Sequence, residues 1–291
     1  TEYLQSFYYP VAMKLLKGEY NSSGERGVVQ KLSGCVILKE LAMHLSATIY
    51  SNRQEVFASL WEVVCDKSAV VRDAGAESLQ ECLFVVSQRE SMHDWITAAL
   101  SRVEKGFENS KISEKIIGSL LILDIVIGGV VVPNQELLSI MKSFGRKNPF
   151  SDLIDTVLEL GGAKDSVKDV LVLEKVINII PQLAAAFTQV FTKPSQYSNP
   201  DNYLIFSIKY LIQLIQEKQR TVDTVTTGTD GVTVKVSTRS IAYKSLGKLV
   251  TTMCVALRNN GNVISDIIEV IQEGFTRDDF FCSQALHCLG S

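Results

Sequence analysis

Apolar residues recur three and four positions apart along most of the chain, in segments of roughly 12–20 residues. This spacing places the apolar side chains on one side of an α-helix and the polar ones on the other. Short stretches rich in Gly, Pro, Asn and Ser separate the segments, as in GEYNSSGE at 18–25 and KPSQYSNP at 193–200. The pattern therefore predicts about a dozen helices joined by short connections.

These helices are expected to act in pairs. Successive pairs recur about every 40 residues, which is the period of HEAT and armadillo arrays. One pair cannot bury both of its faces alone, so each pair stacks on its neighbours. We therefore predict an all-α, HEAT/armadillo-like α-solenoid, a right-handed superhelix of antiparallel helix pairs that spans residues 1–291 as a single segment. The predicted helices are Glu2–Lys17, Arg26–Ser46, Ile49–Cys65, Ala69–Ser87, Met92–Asn109, Ile112–Ile127, Gln135–Phe144, Ser151–Leu160, Asp165–Phe187, Asp201–Gln219, Thr238–Arg258, Val263–Phe275 and Asp278–Leu289.

The most apolar stretch is IIGSLLILDIVIGGVVV at 116–132. It is shorter than the roughly 20 residues that cross a bilayer. Asp124 lies at its centre, where a carboxylate would cost about 2.5–3.5 kcal/mol. Gly128 and Gly129 break it, and Pro133 follows directly after it. We therefore predict a helix buried between neighbouring helices, and no membrane span.

One stretch, TVDTVTTGTDGVTVKVST at 221–238, departs from helical spacing. Valine and threonine alternate on both sides of an Asp-Gly turn signal, which favours a β-hairpin. Val232, Val234 and Val236 would then lie on one face of it. A disordered threonine-rich loop is the alternative. We predict a β-hairpin insertion at 221–238 within the solenoid.

The most informative motif is a HEAT-like turn at the start of the predicted helix Ala69–Ser87. Asp66 can accept hydrogen bonds from the free N–H groups where that helix begins. Arg72 lies six residues further on, within reach of Asp66 or of the equivalent turn in the preceding pair. Val71 is expected in the core, and Ala74 opens a run of small residues that allows close helix approach. We predict that such Asp–Arg contacts form a ladder; the alternative is a solvated surface Arg72.

Several further motifs resemble, in chain order, the N-terminal HEAT solenoid of the target of rapamycin kinases, which belong to the phosphatidylinositol-3-kinase-related family. The 221–238 insertion and the 128–149 connection depart from the family pattern. The motifs are LKELA at 38–42, VRDA at 71–74, QRE at 88–90, EKGF at 104–107, LLIL at 120–123, PQLAA at 181–185 and LGS at 289–291.

This resemblance implies a protein-interaction scaffold. The family's solenoid holds a Raptor-type adaptor subunit and contributes to assembly of the kinase complex in nutrient and growth signalling. Its kinase domain lies far toward the C-terminus, and no family catalytic residue maps onto this chain. The resemblance thus implies a non-enzymatic fragment of a much longer serine/threonine protein kinase. Its implied location is the cytoplasm, including endomembrane, lysosome or vacuole surfaces where the complex gathers.

Composition and charge add mainly exclusions. The 29 basic and 32 acidic residues give a net charge of −3. The chain therefore lacks the overall positive charge that is typical of nucleic-acid-binding proteins. The sequence contains no phosphate-binding loop, zinc-protease motif or kinase signature. We therefore predict no catalytic residue, no cofactor and no metal. The chain begins at Thr1 without a cationic leader, which we interpret as a piece of a longer protein.

The six cysteines have apolar flanks and form no C-x-x-C pair, so we predict that they are reduced and buried in a cytosolic protein. They are Cys35, Cys65, Cys82, Cys254, Cys282 and Cys288.

Two other functions stay open from the sequence. The first is a HEAT scaffold of another class, such as a transport receptor or a phosphatase scaffold subunit, with a similar binding surface. The second is a stand-alone enzyme, which would need a polar pocket with perturbed carboxylates or cysteines. No motif in the sequence indicates such a pocket.

Overall fold

The computed structural model describes residues 2–20, 24–89, 92–108, 112–128, 137, 139–140, 149–162, 169–193, 202–216, 224–227, 233–236, 238–258 and 260–276. The chain divides into two compact units, Thr1–Gly145 and Arg146–Ser291, which are described separately.

The first unit consists of helix pairs. Helix α1 packs against α2, α4 against α5, and α6 against α7. The second helices also stack on one another, α2 on α5 and α5 on α7, while α1 packs on α4. The helices are α1 (Glu2–Lys17), α2 (Glu25–His44), α3 (Ser46–Ser51), α4 (Arg53–Val63), α5 (Ala69–Ser87), α6 (His93–Glu108) and α7 (Ser113–Ile127).

Side-chain hydrogen bonds connect one pair to the next. Tyr9 and Lys17 of α1 both donate to Glu55 of α4, at 2.8 and 2.5 Å. The Ser78 hydroxyl of α5 donates to the Cys35 carbonyl of α2 at 2.8 Å. These partners are 46, 38 and 43 residues apart, close to the period of about 40 residues predicted from the sequence. Within this unit the sequence period therefore corresponds to physical stacking of helix pairs.

Two glycines of second helices lie where these helices closely approach their neighbours. A Cβ on Gly75 of α5 would lie 2.7 Å from Cγ1 of Val63 in α4. A Cβ on Gly118 of α7 would lie 2.6 Å from both the Val64 carbonyl oxygen and the Cys65 sulfur. Neither position has room for a larger side chain, so the small residues at these points allow the helices to touch.

Helix α7 contains the most apolar stretch of the sequence. Ile117, Leu120 and Leu123 are almost completely buried, and so are most of the other residues of the helix. The prediction of a helix buried against its neighbours is confirmed. None of the helices in the described parts of the chain is long and apolar enough to cross a membrane.

The second unit is also helical. Helix α12 packs on α9 and on α11, and further contacts join α8 to α9 and α11 to α14. The helices are α8 (Pro149–Leu160), α9 (Val170–Ala186), α10 (Thr188–Phe191), α11 (Tyr203–Gln216), α12 (Thr238–Thr252), α13 (Cys254–Leu257) and α14 (Gly261–Thr276).

Two buried tyrosines of α11 hold this helix against the α8 region. The Tyr203 hydroxyl donates to Asp155 at 2.9 Å, and the Tyr210 hydroxyl donates to the Gly161 carbonyl at 2.5 Å. Burial, followed by the bond to Asp155, raises the pKa of Tyr203 above its ordinary value. The two residues of each hydrogen bond are separated by 48 and 49 positions in the sequence. This separation is close to the length of one helix pair, as in the first unit.

Between α11 and α12 the segment 221–238 contains two short strands. Strand β1 (Thr224–Thr227) pairs antiparallel with β2 (Thr233–Val236), with Thr224 opposite Val236 and Thr227 opposite Thr233. The turn at 228–232 and the strand side chains lie outside the described residues, as does the predicted common face of the three valines.

The predicted helix Ile49–Cys65 is wrong as a single element. It is divided at Asn52 into α3 and α4. The Asn52 side-chain amide donates to the Thr48 carbonyl at 2.9 Å. Asparagine competes in this way with the backbone hydrogen bonds of a helix, and the helical pattern of apolar residues gives no sign of it.

The predicted helix Thr238–Arg258 is also interrupted, at Met253 between α12 and α13. The hydroxyls of Thr251 and Thr252 donate to carbonyls one turn back, at 2.9 and 2.7 Å. Such bonds slightly destabilise and bend a helix, and two of them follow each other directly before the break.

Two predicted helices lie outside the described residues, Asp278–Leu289 entirely and Gln135–Phe144 except for residues 137, 139 and 140. The handedness of the superhelix and the organisation of 1–291 as a single segment stay predictions.

Candidate functional site

The predicted signature turn lies between α4 and α5, and Asp66 organises it. One carboxylate oxygen accepts the Ser68 N–H at 2.9 Å, and the other accepts the Lys31 ammonium of α2 at 2.5 Å. Burial raises the pKa of Asp66, but Lys31, the Ser68 N–H and the Arg72 guanidinium together lower it more. The pKa of Asp66 therefore lies below its usual value, and the carboxylate stays ionised.

Arg72 closes its own turn. Its Nη1 atom donates to the carbonyl of Asp66 at 2.7 Å and to that of Lys67 at 2.9 Å. Only 5% of Arg72 is exposed, so the alternative of a solvated surface arginine is wrong. Arg72 reaches carbonyl oxygens rather than a carboxylate, and the ion pair between this turn and the preceding helix pair comes from Lys31.

Val71 and Ala74 support packing. Val71 is fully buried, and Ala74 is half-buried with its carbonyl accepting the Ser78 hydroxyl at 2.8 Å. The four signature residues Asp66, Val71, Arg72 and Ala74 thus hold a turn and part of the core. None of them lines the groove described next.

A surface groove of about 540 Å³ lies between the C-terminal parts of α2 and α5. Two large apolar side chains face it and stay partly in solvent, Met43 with 48% and Phe84 with 43% of their surface exposed. Monomeric proteins expose contiguous apolar surface mainly where something binds. The groove is lined by Ala42, Met43, Ser46, Glu81, Phe84, Val85, Gln88 and Arg89.

Exposed apolar residues also extend from the groove along both helices. Val29, Val36 and Met43 follow each other at intervals of seven along α2, and all three are exposed. Val70 and Phe84 are exposed on α5. Seven residues are close to two turns of a helix, so each set lies on one face. We call this strip, with the groove at its end, the α2–α5 surface.

The charges on the α2–α5 surface are mainly negative. The Lys39 ammonium contacts Glu77 across the two helices at 2.7 Å. The hydrogen bond from Glu77, together with the negative charges of Glu77, Glu81 and Glu40, raises the pKa of Lys39. With Arg89 of the groove counted, two basic and three acidic side chains leave this part of the surface with one net negative charge.

Arg89 fixes the opposite end of the groove. Its guanidinium donates to the Val85 carbonyl at 3.0 Å and to the Ser46 hydroxyl at 2.7 Å. It also lies 5.3 Å from the centre of the Tyr50 ring. The groove lining therefore has the Arg89 cation, held in place, and the Glu81 carboxylate two turns before it on α5.

The cysteine prediction is partly right. Cys35 and Cys82 are fully buried and free, and burial raises the pKa of the Cys35 thiol to about 12. The prediction is wrong for Cys254, which is exposed in the four-residue helix α13. That helix is too short to cover both of its faces. Cys282 and Cys288 lie outside the described residues.

The parts of the chain that the structure describes hold no group of three His, Cys, Asp or Glu side chains that could bind a metal ion. The EKGF glycine, Gly106, is a packing residue, because a Cβ there would overlap the Ser119 hydroxyl of α7. A scan of the chain against models of known protein families finds no match.

Proposed function

We propose that the chain is a protein-interaction scaffold segment of a target of rapamycin kinase. In this proposal it contributes to binding of a Raptor-type adaptor and to assembly of a cytoplasmic complex in nutrient and growth signalling. The single observation that carries the proposal is the α2–α5 surface, where apolar side chains stay exposed along two stacked helices. The most specific part of the family resemblance, residues 38–123, falls in the same unit.

The chemistry of this surface favours a macromolecular partner over a small substrate. Its apolar residues continue along two helices rather than converging in a closed pocket, whereas small-molecule sites are concave and enclosed. The buried thiols of Cys35 and Cys82 have raised pKa values, which is the opposite of what an activated nucleophile needs. We therefore propose a binding role and no catalytic role for this segment.

The test is adaptor capture with three immobilised proteins: this chain, the full solenoid of the parent kinase, and the full solenoid without residues 1–291. The adaptor is the Raptor-type subunit of the source organism, purified separately. We expect capture by the full solenoid, weaker capture by this chain because contacts are shared along an array, and a clear loss after the deletion.

Undiminished capture by the deleted solenoid would place the adaptor site elsewhere and refute the proposal. Capture of a purified transport cargo or of a phosphatase catalytic subunit in place of the adaptor would support the HEAT scaffold of another class.

A further inference from the structure

The groove at the end of the α2–α5 surface has a shape and a charge pattern that together specify an occupant. We propose that it binds a short basic segment of the protein partner, anchored by a large apolar side chain between Met43 and Phe84. This inference rests on the proposed scaffold function and names the chemistry of the partner.

The apolar part of the occupant follows from the two residues that flank the groove. Met43 comes from α2 and Phe84 from α5, so an inserted side chain would contact both stacked helices at once. Methionine adapts its shape to different partners, and aromatic side chains contribute a large contact area at interfaces. The groove volume of about 540 Å³ gives room for such an anchor and its neighbours.

The charge of the occupant follows from the carboxylates beside the anchor position. Glu81 lines the groove, and Glu77 contacts Lys39 at 2.7 Å beside it. With Glu40, Lys39 and Arg89 counted, this part of the surface has one net negative charge. Lysine or arginine next to the anchor would be attracted, and an acidic segment would be repelled. Charge complementarity at the Glu81 end of the groove therefore favours a basic partner.

The position of Arg89 adds a direction. Its guanidinium is held by the Val85 carbonyl and the Ser46 hydroxyl, so the cation cannot leave the groove without breaking both bonds. Basic residues of the partner must then lie toward Glu81 and away from Arg89. The segment has one favoured orientation in the groove.

Binding can be measured with a synthetic amphipathic helix of about 16 residues, with leucines on one face and lysines on the other. A second peptide has glutamate at every lysine position and the same leucines. Each is titrated into the whole chain carrying ¹³C-methyl methionine. The Met43 signal, assigned by its loss in Met43→Leu, reports on the groove, while Met13 and Met253 are buried and serve as internal references.

We expect the lysine peptide to shift the Met43 signal and leave the two reference signals in place, and the glutamate peptide to bind at least about tenfold more weakly. The variants Phe84→Glu and Glu81→Lys should each weaken the lysine peptide by about tenfold or more. Val255→Glu is the matched control, since Val255 is an exposed apolar residue of the other unit, with 71% of its surface in solvent. It should bind as the unaltered chain does.

Equal binding of the two peptides, or an unmoved Met43 signal at saturation, would overturn the inference. The same variants then separate it from the scaffold proposal. If Phe84→Glu and Glu81→Lys still capture the adaptor, the scaffold proposal is retained, but the groove is not the adaptor-binding site. If the lysine peptide shifts the Met43 signal but the chain captures no adaptor, the groove binds a basic segment and the adaptor is not its partner.

Discussion

Replacing Arg72 by methionine tests whether the signature turn stabilises the stack. Methionine keeps much of the apolar stem of arginine and removes the guanidinium. The Asp66 and Lys67 carbonyls then lose donors at 2.7 and 2.9 Å, and Asp66 loses a nearby positive charge. The substitution therefore removes hydrogen bonds and leaves much of the packing in place.

The expected loss can be worked out from these contacts. A hydrogen bond from a charged donor contributes about 1.5–3 kcal/mol, and the loss is larger where the remaining partner is buried. Both bonds come from Nη1, and water can reach the partly buried carbonyls, so the two contributions do not add fully. We expect a decrease of about 2–3 kcal/mol in the free energy of unfolding. At about 2–4 °C per kcal/mol for a chain of this size class, the midpoint falls by about 4–12 °C.

The assay is thermal and urea unfolding followed by far-ultraviolet circular dichroism. Arg26→Met is the matched control, because Arg26 is exposed in the first turn of α2 and its loss should change stability by less than about 0.5 kcal/mol. Arg72→Lys should fall between the two, since lysine keeps the charge without the planar fork of donors. An Arg72→Met midpoint within error of Arg26→Met would refute the structural role assigned to Arg72.

Three further predictions concern packing, pH and thiols. Gly118→Ala should destabilise the fold by about 1–3 kcal/mol in urea unfolding because its Cβ meets a carbonyl, whereas Gly261→Ala, with nothing within 4 Å, should be nearly neutral. The lowered pKa of Asp66 means that its stabilisation is complete above about pH 4 and is lost as pH falls through the folded pKa. Unfolding at a series of pH values should therefore show a steeper acid loss in the unaltered chain than in Asp66→Asn; parallel curves would contradict this. A thiol reagent should modify Cys254 in the folded chain and Cys35 only after unfolding, as mapped by mass spectrometry of peptides; fast modification of Cys35 would refute its burial.

The helices and their period could be predicted from the sequence because the residues buried in stacked helix pairs recur at helical spacing. The predicted bounds of α1 (Glu2–Lys17) and α5 (Ala69–Ser87) agree with the structure. The close helix approach predicted for the run of small residues that begins at Ala74 is present at Gly75, the next residue. These features depend on residues that are close together in the sequence, so the local spacing of apolar and small residues predicts them.

The features that the sequence reasoning missed depend on neighbours from other helices. Helical spacing places Met43 and Phe84 away from the buried sides of their helices, and only the packing of α2 against α5 brings the two side chains to one groove. Arg72 could be assigned to a turn, but its choice of carbonyl oxygens is set by the path of that turn. The QRE motif at 88–90 and the LKELA motif at 38–42 both contribute residues to the groove, but they indicated a family rather than a surface.

Photo-cross-linking within the intact complex can show whether the adaptor contacts the α2–α5 surface. Benzoylphenylalanine is placed at position 36, 84 or 255 of the full-length parent kinase, the complex is purified and irradiated, and mass spectrometry identifies the linked protein. We expect adaptor cross-links from positions 36 and 84 on the α2–α5 surface and none from position 255. Adaptor cross-links absent at 36 and 84, in complexes that retain the adaptor, would contradict this expectation.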